Sequence, residues 1–181
     1  MAVRLKLGAQ ALAVAGVGVL ASMLVWKLTH QTPQPKVGAR APVFSLHRLT
    51  GSGDLSLGAF RGKTVVLNFF ASWCDPCKRE APVLERLWQQ DRARGLVVLG
   101  VDSNDSRGDG RRFVHVHGLT YPVVFDHDGR IAANSYAVSD LPVTYVLNQK
   151  GRIVGGQILG PVSERAHTQA LMRYVHAALK S

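Results

Sequence analysis

Cysteine is scarce in this chain. Two residues among 181 close one bridge at most, which excludes a small scaffold stapled by disulfides. Acidic residues are few as well: 12 Asp and Glu stand against 22 Lys and Arg, a formal net charge of +10. That excess does not make a nucleic-acid footprint, which needs basic residues gathered on one face. Residues 1–40 contain Arg4, Lys6, Lys27, Lys36 and Arg40 and no acid. From residue 41 onward, 17 basic residues are interspersed with 12 acids. No nucleic-acid partner is expected. Internal repeats and low-complexity tracts are missing too. With 46% apolar residues, the chain is long enough to bury a core in one domain of ordinary size.

One long hydrophobic run is present. From Leu7 to Trp26, 20 residues carry no charge, and only Gln10 and Ser22 interrupt their apolar or glycine character. About 20 such residues cross a hydrocarbon core of ~30 Å as a helix. Arg4 and Lys6 precede the run and Lys27 follows it. Residues 1–28 are therefore expected to be an uncleaved signal-anchor, with the N-terminus in the cytoplasm and the rest of the chain outside. A cleaved signal peptide is the alternative, although its apolar region usually spans only about 7–15 residues. Residues 29–42, with Pro33, Pro35, Gly38 and Pro42, read as a stiff extended tether. Residues 43–181 read as the globular domain.

Within that domain, strand patterns alternate with helical ones. Val43–Leu46 and Leu55–Leu57 flank a glycine-containing turn, the pattern of a hairpin. The β-branched and aromatic run Val65–Phe70 suits a strand buried on both faces. A helix is expected over Pro76–Arg94, closed by Gly95. Leu96–Val101 reads as a second buried strand, Arg111–His117 as a helix and Val123–Phe125 as a short strand. Val143–Leu147 and Gly151–Leu159 form a hairpin pattern, and Ser163–Leu179 an amphipathic helix. The order predicts an α/β fold, a central mixed sheet flanked by helices.

Both cysteines fall in Trp73-Cys74-Asp75-Pro76-Cys77, where a buried strand gives way to a helix. Unpaired N–H groups and the partial positive charge at a helix N-terminus lower the pKa of a nearby thiol. Cys74 is thus the expected attacking thiolate, and Cys77, one turn further in, the resolving thiol. Pro76 suits the first turn, where its missing N–H costs nothing. Structural zinc would need a second Cys or His pair at matched spacing. His115 and His117 are the nearest pair, and two residues apart on a helix they do not face one ligand. A purely structural bridge of this span would constrain little of the unfolded chain. Dithiol exchange through a redox-active Cys74–Cys77 disulfide is the chemistry left, with no metal and no cofactor expected.

The segment Asn68-Phe69-Phe70-Ala71-Ser72-Trp73-Cys74-Asp75-Pro76-Cys77-Lys78-Arg79-Glu80-Ala81-Pro82 resembles the thioredoxin superfamily. More narrowly, it resembles the membrane-tethered TlpA/ResA/CcmG (DsbE) branch. The resemblance runs from about Val37 to the end. It includes the N-terminal hairpin, the Val101–Val124 insert and the Leu141-Pro142-Val143-Thr144 segment. It implies a thioredoxin-like fold, and a cis peptide bond before Pro142 beside backbone that pairs with an incoming peptide. It also implies a role for Glu80 in cysteine ionisation. Glu80 lies three residues after Cys77 and is either a buried base for that thiol or an exposed helix acid without a role. Asn68 stands where many cytoplasmic thioredoxins carry a buried Asp, and an amide cannot take up that proton. Trp73 is expected to shape the surface near Cys74, and Thr144 to support the site beside Pro142.

Asp75 beside Cys74 disfavours the thiolate and so leans the couple toward a reductant. The resemblance leans the same way, since the branch commonly reduces the haem-binding cysteines of apocytochrome c. It implies a protein disulfide as substrate and a transmembrane thiol-transferring protein as electron donor, on the extracytoplasmic (periplasmic or outer) face. A general oxidant or isomerase of secreted proteins, and a non-catalytic binding module, are the alternatives.

Overall fold

The computed structural model describes residues 15–26 and 34–181. Residues 15–26 form a helix, α1, with Val17, Val19, Leu20, Met23 and Leu24 all exposed. Among the described residues, no helix is long and apolar enough to cross a membrane. The rest of the expected anchor, residues 1–14 and 27–28, and part of the expected tether, residues 29–33, lie outside the described residues.

Residues 34–181 hold a five-stranded mixed sheet and a separate two-stranded one. Strands β1 (Ser45–His47) and β2 (Asp54–Ser56) pair antiparallel, and Gly51 and Gly53 turn the chain between them at φ +83° and +77°. The larger sheet runs β5-β4-β3-β6-β7. At its centre β3 (Thr64–Phe70) is buried at all seven residues, as its β-branched and aromatic run predicts. It pairs parallel with β4 (Leu96–Ser103), which pairs parallel with β5 (Val123–Asp126). On its other side β3 meets β6 (Val143–Leu147) antiparallel, and β6 meets β7 (Ile158–Leu159). The helices are α2 (Asp75–Asp91), α3 (Arg107–Val116) and α4 (Arg165–Leu179).

Strand alternation sorts the core into two layers. Val66 and Phe70 pack with Leu84 of α2, Phe113 of α3 and Leu171 of α4. Val65, Leu67 and Phe69 pack on the other face with Tyr136, Tyr145 and Leu147. Asn68, between Val66 and Phe70, therefore points into the helical layer.

Four local features differ from the sequence reading. Residues 38–41 are not a free tether: Gly38 N–H donates to Ile153 O at 2.8 Å and Ala41 N–H to Gly151 O at 2.9 Å. Helix α3 starts at Arg107 rather than Arg111, because Ser106 Oγ accepts from Asp109 N–H at 3.1 Å and caps it. The expected strand after Gly151 is broken: Ile153 bridges Leu147, and regular pairing resumes only at Ile158. Gly155, at φ +72°, lies in that break with the Tyr174 ring of α4 pressed against it. Finally, Ile131–Ser135 forms a π-helical turn, to which the Asp126 carboxylate accepts from the N–H groups of Ile131 and Ala132 at 3.1 and 3.0 Å.

Candidate active site

Where β3 ends, Ala71, Ser72 and Trp73 carry the chain to Cys74, the N-cap of α2. Cys74 and Cys77 are joined, S–S 2.03 Å. Cys77 N–H donates to Cys74 Sγ at 3.2 Å, so a helix N–H faces the sulfur expected to become the thiolate. Exposure orders the two as expected but barely separates them, 4% for Cys74 against 1% for Cys77. Position on the helix distinguishes them better. Pro76 occupies the first turn. Trp73 is 57% exposed, its Nε1–H donating to Asn104 O at 3.0 Å.

Asp75 needs a revised weight. It is exposed, and Lys78 Nζ donates to its Oδ1 at 2.6 Å. The lysine holds the carboxyl below its ordinary range, and the same ammonium offsets the negative charge that would oppose a Cys74 thiolate.

Glu80 resolves the other way. It is buried at 1% exposure on the inner face of α2. Asn68 Nδ2–H donates to its Oε1 at 2.8 Å, and the backbone N–H of Val162 to its Oε2 at 2.9 Å. Burial pushes its pKa up to about 7, against the opposing pull of those two donors. Asn68 also donates to Thr144 Oγ1 at 3.1 Å, which ties three of the anticipated residues into one buried chain. The peptide before Pro142 is cis. In the β3–β6 register Phe69 faces Val143, so Pro142 falls opposite the end of β3, where the cysteine motif begins. Pro142 O accepts from Gly160 N–H at 3.0 Å. His115 and His117 do not converge: His117 caps the end of α3, its ring 4.4 Å from Phe113.

Three site contacts were not anticipated. One is the Val162 N–H, which no sequence signal connects to Glu80, 82 positions away. Another is Asp105, whose carboxylate accepts from Ser72 N–H at 2.6 Å and Ser72 Oγ–H at 3.0 Å. The last is Asp102, fully buried one residue before the end of β4, an acidic residue after an otherwise apolar run.

The sequence profile of the AhpC/TSA family matches residues 37–155. The chain belongs to this family. It is 35% identical over 117 residues to the thiol-disulfide oxidoreductase ResA of Geobacillus thermodenitrificans, covering 65% of this chain and 66% of that one. It is 38% identical over 147 residues to the thioredoxin-like protein YneN of Bacillus subtilis, covering 75% and 84%. The match thus spans about two thirds of that ResA relative's length and more of YneN's. Among solved structures, a Chlorobium tepidum protein described as a DsbE-type thiol:disulfide interchange protein superposes with a TM-score of 0.73 at 29% identity, covering 81% of this chain and 99% of that one. The fold is thioredoxin-like, and the Cys74–Cys77 disulfide at the head of α2 is a thiol–disulfide oxidoreductase centre of the ResA/DsbE type.

Proposed function

We propose that this chain is an extracytoplasmic, membrane-tethered reductase that delivers electrons to protein disulfides, with the haem-binding cysteines of apocytochrome c as substrate. The observation that carries the reading is the buried Glu80, held by Asn68 and Val162 on the helix that bears both cysteines. In the reduced enzyme the Cys74 thiolate attacks one sulfur of the substrate disulfide and expels the other as a thiolate, leaving a mixed disulfide. Cys77 then loses its proton and attacks Cys74 Sγ. The substrate leaves with two thiols, and the enzyme returns to the Cys74–Cys77 disulfide. Glu80, poised near neutrality, is the group assigned to accept the Cys77 proton. Trp73 and the backbone beside Pro142 and Thr144 receive the substrate peptide, and Asp75 and Pro76 set the entry to the helix.

Residues 1–28 serve as the anchor in this reading, residues 29–42 as the connection and residues 43–181 as the redox domain. The uncharged run of the sequence and the exposed apolar side chains of α1 support the anchor. A transmembrane thiol-transferring donor recharges the disulfide from the cytoplasmic side.

Two measurements test the reading. The reduction potential of the cysteine couple should fall near or below the value of about −270 mV typical of thioredoxin. A value near about −120 mV would make the protein an oxidant. A Cys77→Ser variant expressed in cells should accumulate mixed disulfides through Cys74 with apocytochrome c, whereas an empty trap would argue for a binding module.

A further inference from the structure

Asp102 takes no part in the exchange just described, yet it stands in register with Phe70, the last residue of β3 before the chain turns to the cysteines. It is the penultimate residue of β4, between Phe70 and Phe125 in register, and fully buried. Gly110 of α3 comes so close that a Cβ there would collide with Asp102 Oδ2. Neither carboxyl oxygen of Asp102 has a hydrogen-bond partner. An ionised carboxylate has only acceptors to offer, and burial without donors is costly.

The charged groups around it are few. Asp105, three residues on, raises the Asp102 pKa, and Arg107 of α3 lowers it more weakly. The Arg107 guanidinium is engaged by Arg48 O at 3.0 Å and by the Phe125 ring. Arg111 is tied to Leu49 O at 2.8 Å. Asp109 pairs with Ser106, and the His127 ring contacts Asp105 O at 3.3 Å. Asp126 lies on the opposite face of the sheet with Ser103. Asp105 itself accepts from Ser72 N–H, Ser72 Oγ–H and Ser106 N–H at 2.6, 3.0 and 2.7 Å. It is therefore a carboxylate supplied with donors beside a carboxyl that has none. The Asp105 side chain lies within hydrogen-bonding reach of Asp102, and because two carboxylates offer only acceptors, a proton on Asp102 is what makes that approach a hydrogen bond.

We propose that Asp102 is a positioning residue that carries a proton in the working enzyme and shares it with Asp105, closing a carboxyl pair that fixes Ser72 and Trp73 on the approach to Cys74. The clasp has two ends: Asp105 grips Ser72, and Asn104 O accepts from the Trp73 indole. Loss of the shared proton places two negative charges side by side and loosens both. Burial and Asp105 together push Asp102 up to about 8, so the proton is held at neutral pH and released in mild alkali.

The inference rests on the exchange reading for its consequence but not for its test. In the full-length protein, the Ser72 amide and the Asp102 carboxyl carbon are followed by NMR between pH 6 and 10. Both should show one common transition. In Asp102→Asn the amide group donates to Asp105 at every pH, so the Ser72 transition should vanish while its pH 6 position is kept. In Asp105→Asn the like charge is gone, so the Asp102 transition should move down by about one pH unit or more. A Ser72 transition that survives Asp102→Asn, or an Asp102 that titrates in the ordinary carboxyl range, would overturn the proposal. As the functional readout, the reaction of the reduced protein with glutathione disulfide in Asp102→Asn should keep the ionisations of the cysteines and Glu80 and lack that of Asp102. The native protein should fall below that curve above pH 8. Coincident profiles would refute the clasp while leaving the exchange reading intact.

Discussion

Glu80 is one carboxyl among buried neighbours, and its environment makes the stability of the fold depend on pH. Its pKa rises on folding from an ordinary 4.5 to about 7. Its contribution is fully present below pH 4.5 and is lost as pH rises through 7. By linkage the loss amounts to about 3 kcal/mol at pH 8. Glu80→Gln should remove that part of the slope, so that urea midpoints at pH 5 and pH 8 draw closer together, the remaining gap belonging to Asp102. The Gln side chain can accept from Val162 and donate to a reoriented Asn68, so both neighbours stay satisfied. Asn68→Asp should do the opposite. A second carboxyl at the 2.8 Å contact makes two like charges share one buried site, and stability at pH 8 should drop by roughly a further 3 kcal/mol, while at pH 5 it changes little. The sequence disclosed much at this scale, because Cys74, Pro76 and Cys77 act through neighbours within one helical turn. It left Glu80 open, because burial depends on Val162, which reaches the site from the far end of the chain. Asp105 and Asp102 were invisible for the same reason: their meaning depends on contacts with Ser72 and Gly110.

Elements were legible where one periodicity held over many residues. Strand β3 and helix α2 stand close to where hydrophobic spacing puts them. The break between Ile153 and Ile158 was not legible, since Gly155 and Gly156 read as ordinary strand residues until Tyr174 of α4 is seen covering them. That packing makes a prediction about the element. Gly155→Ala would combine a left-handed backbone, φ +72°, with a Cβ driven into the Tyr174 ring. The variant should lose about 2 kcal/mol in urea denaturation. Hydrogen exchange should rise along β7 and α4, while β3 and β4 keep their protection.

Taken whole, the domain has two ends. The registers bring the start of β3, the start of β4 and the end of β6 to one pole, and Cys74 to the other, a strand length of about 20 Å away. Residues 38–41 enter at the first pole, paired with Gly151 and Ile153. A fragment starting at Gln34 should therefore keep the thiol-exchange rate of the full chain within about twofold, whereas one starting at Val43 should unfold at lower urea. The sequence located the redox end from the motif alone, but it read residues 29–42 as a stiff extended tether without showing that residues 38–41 pair with Gly151 and Ile153. The entry at the far pole has a practical meaning. A bead or a fluorescent protein joined directly at Gln34 would be attached beside the pole opposite the disulfide, so labelling there should spare the cysteines.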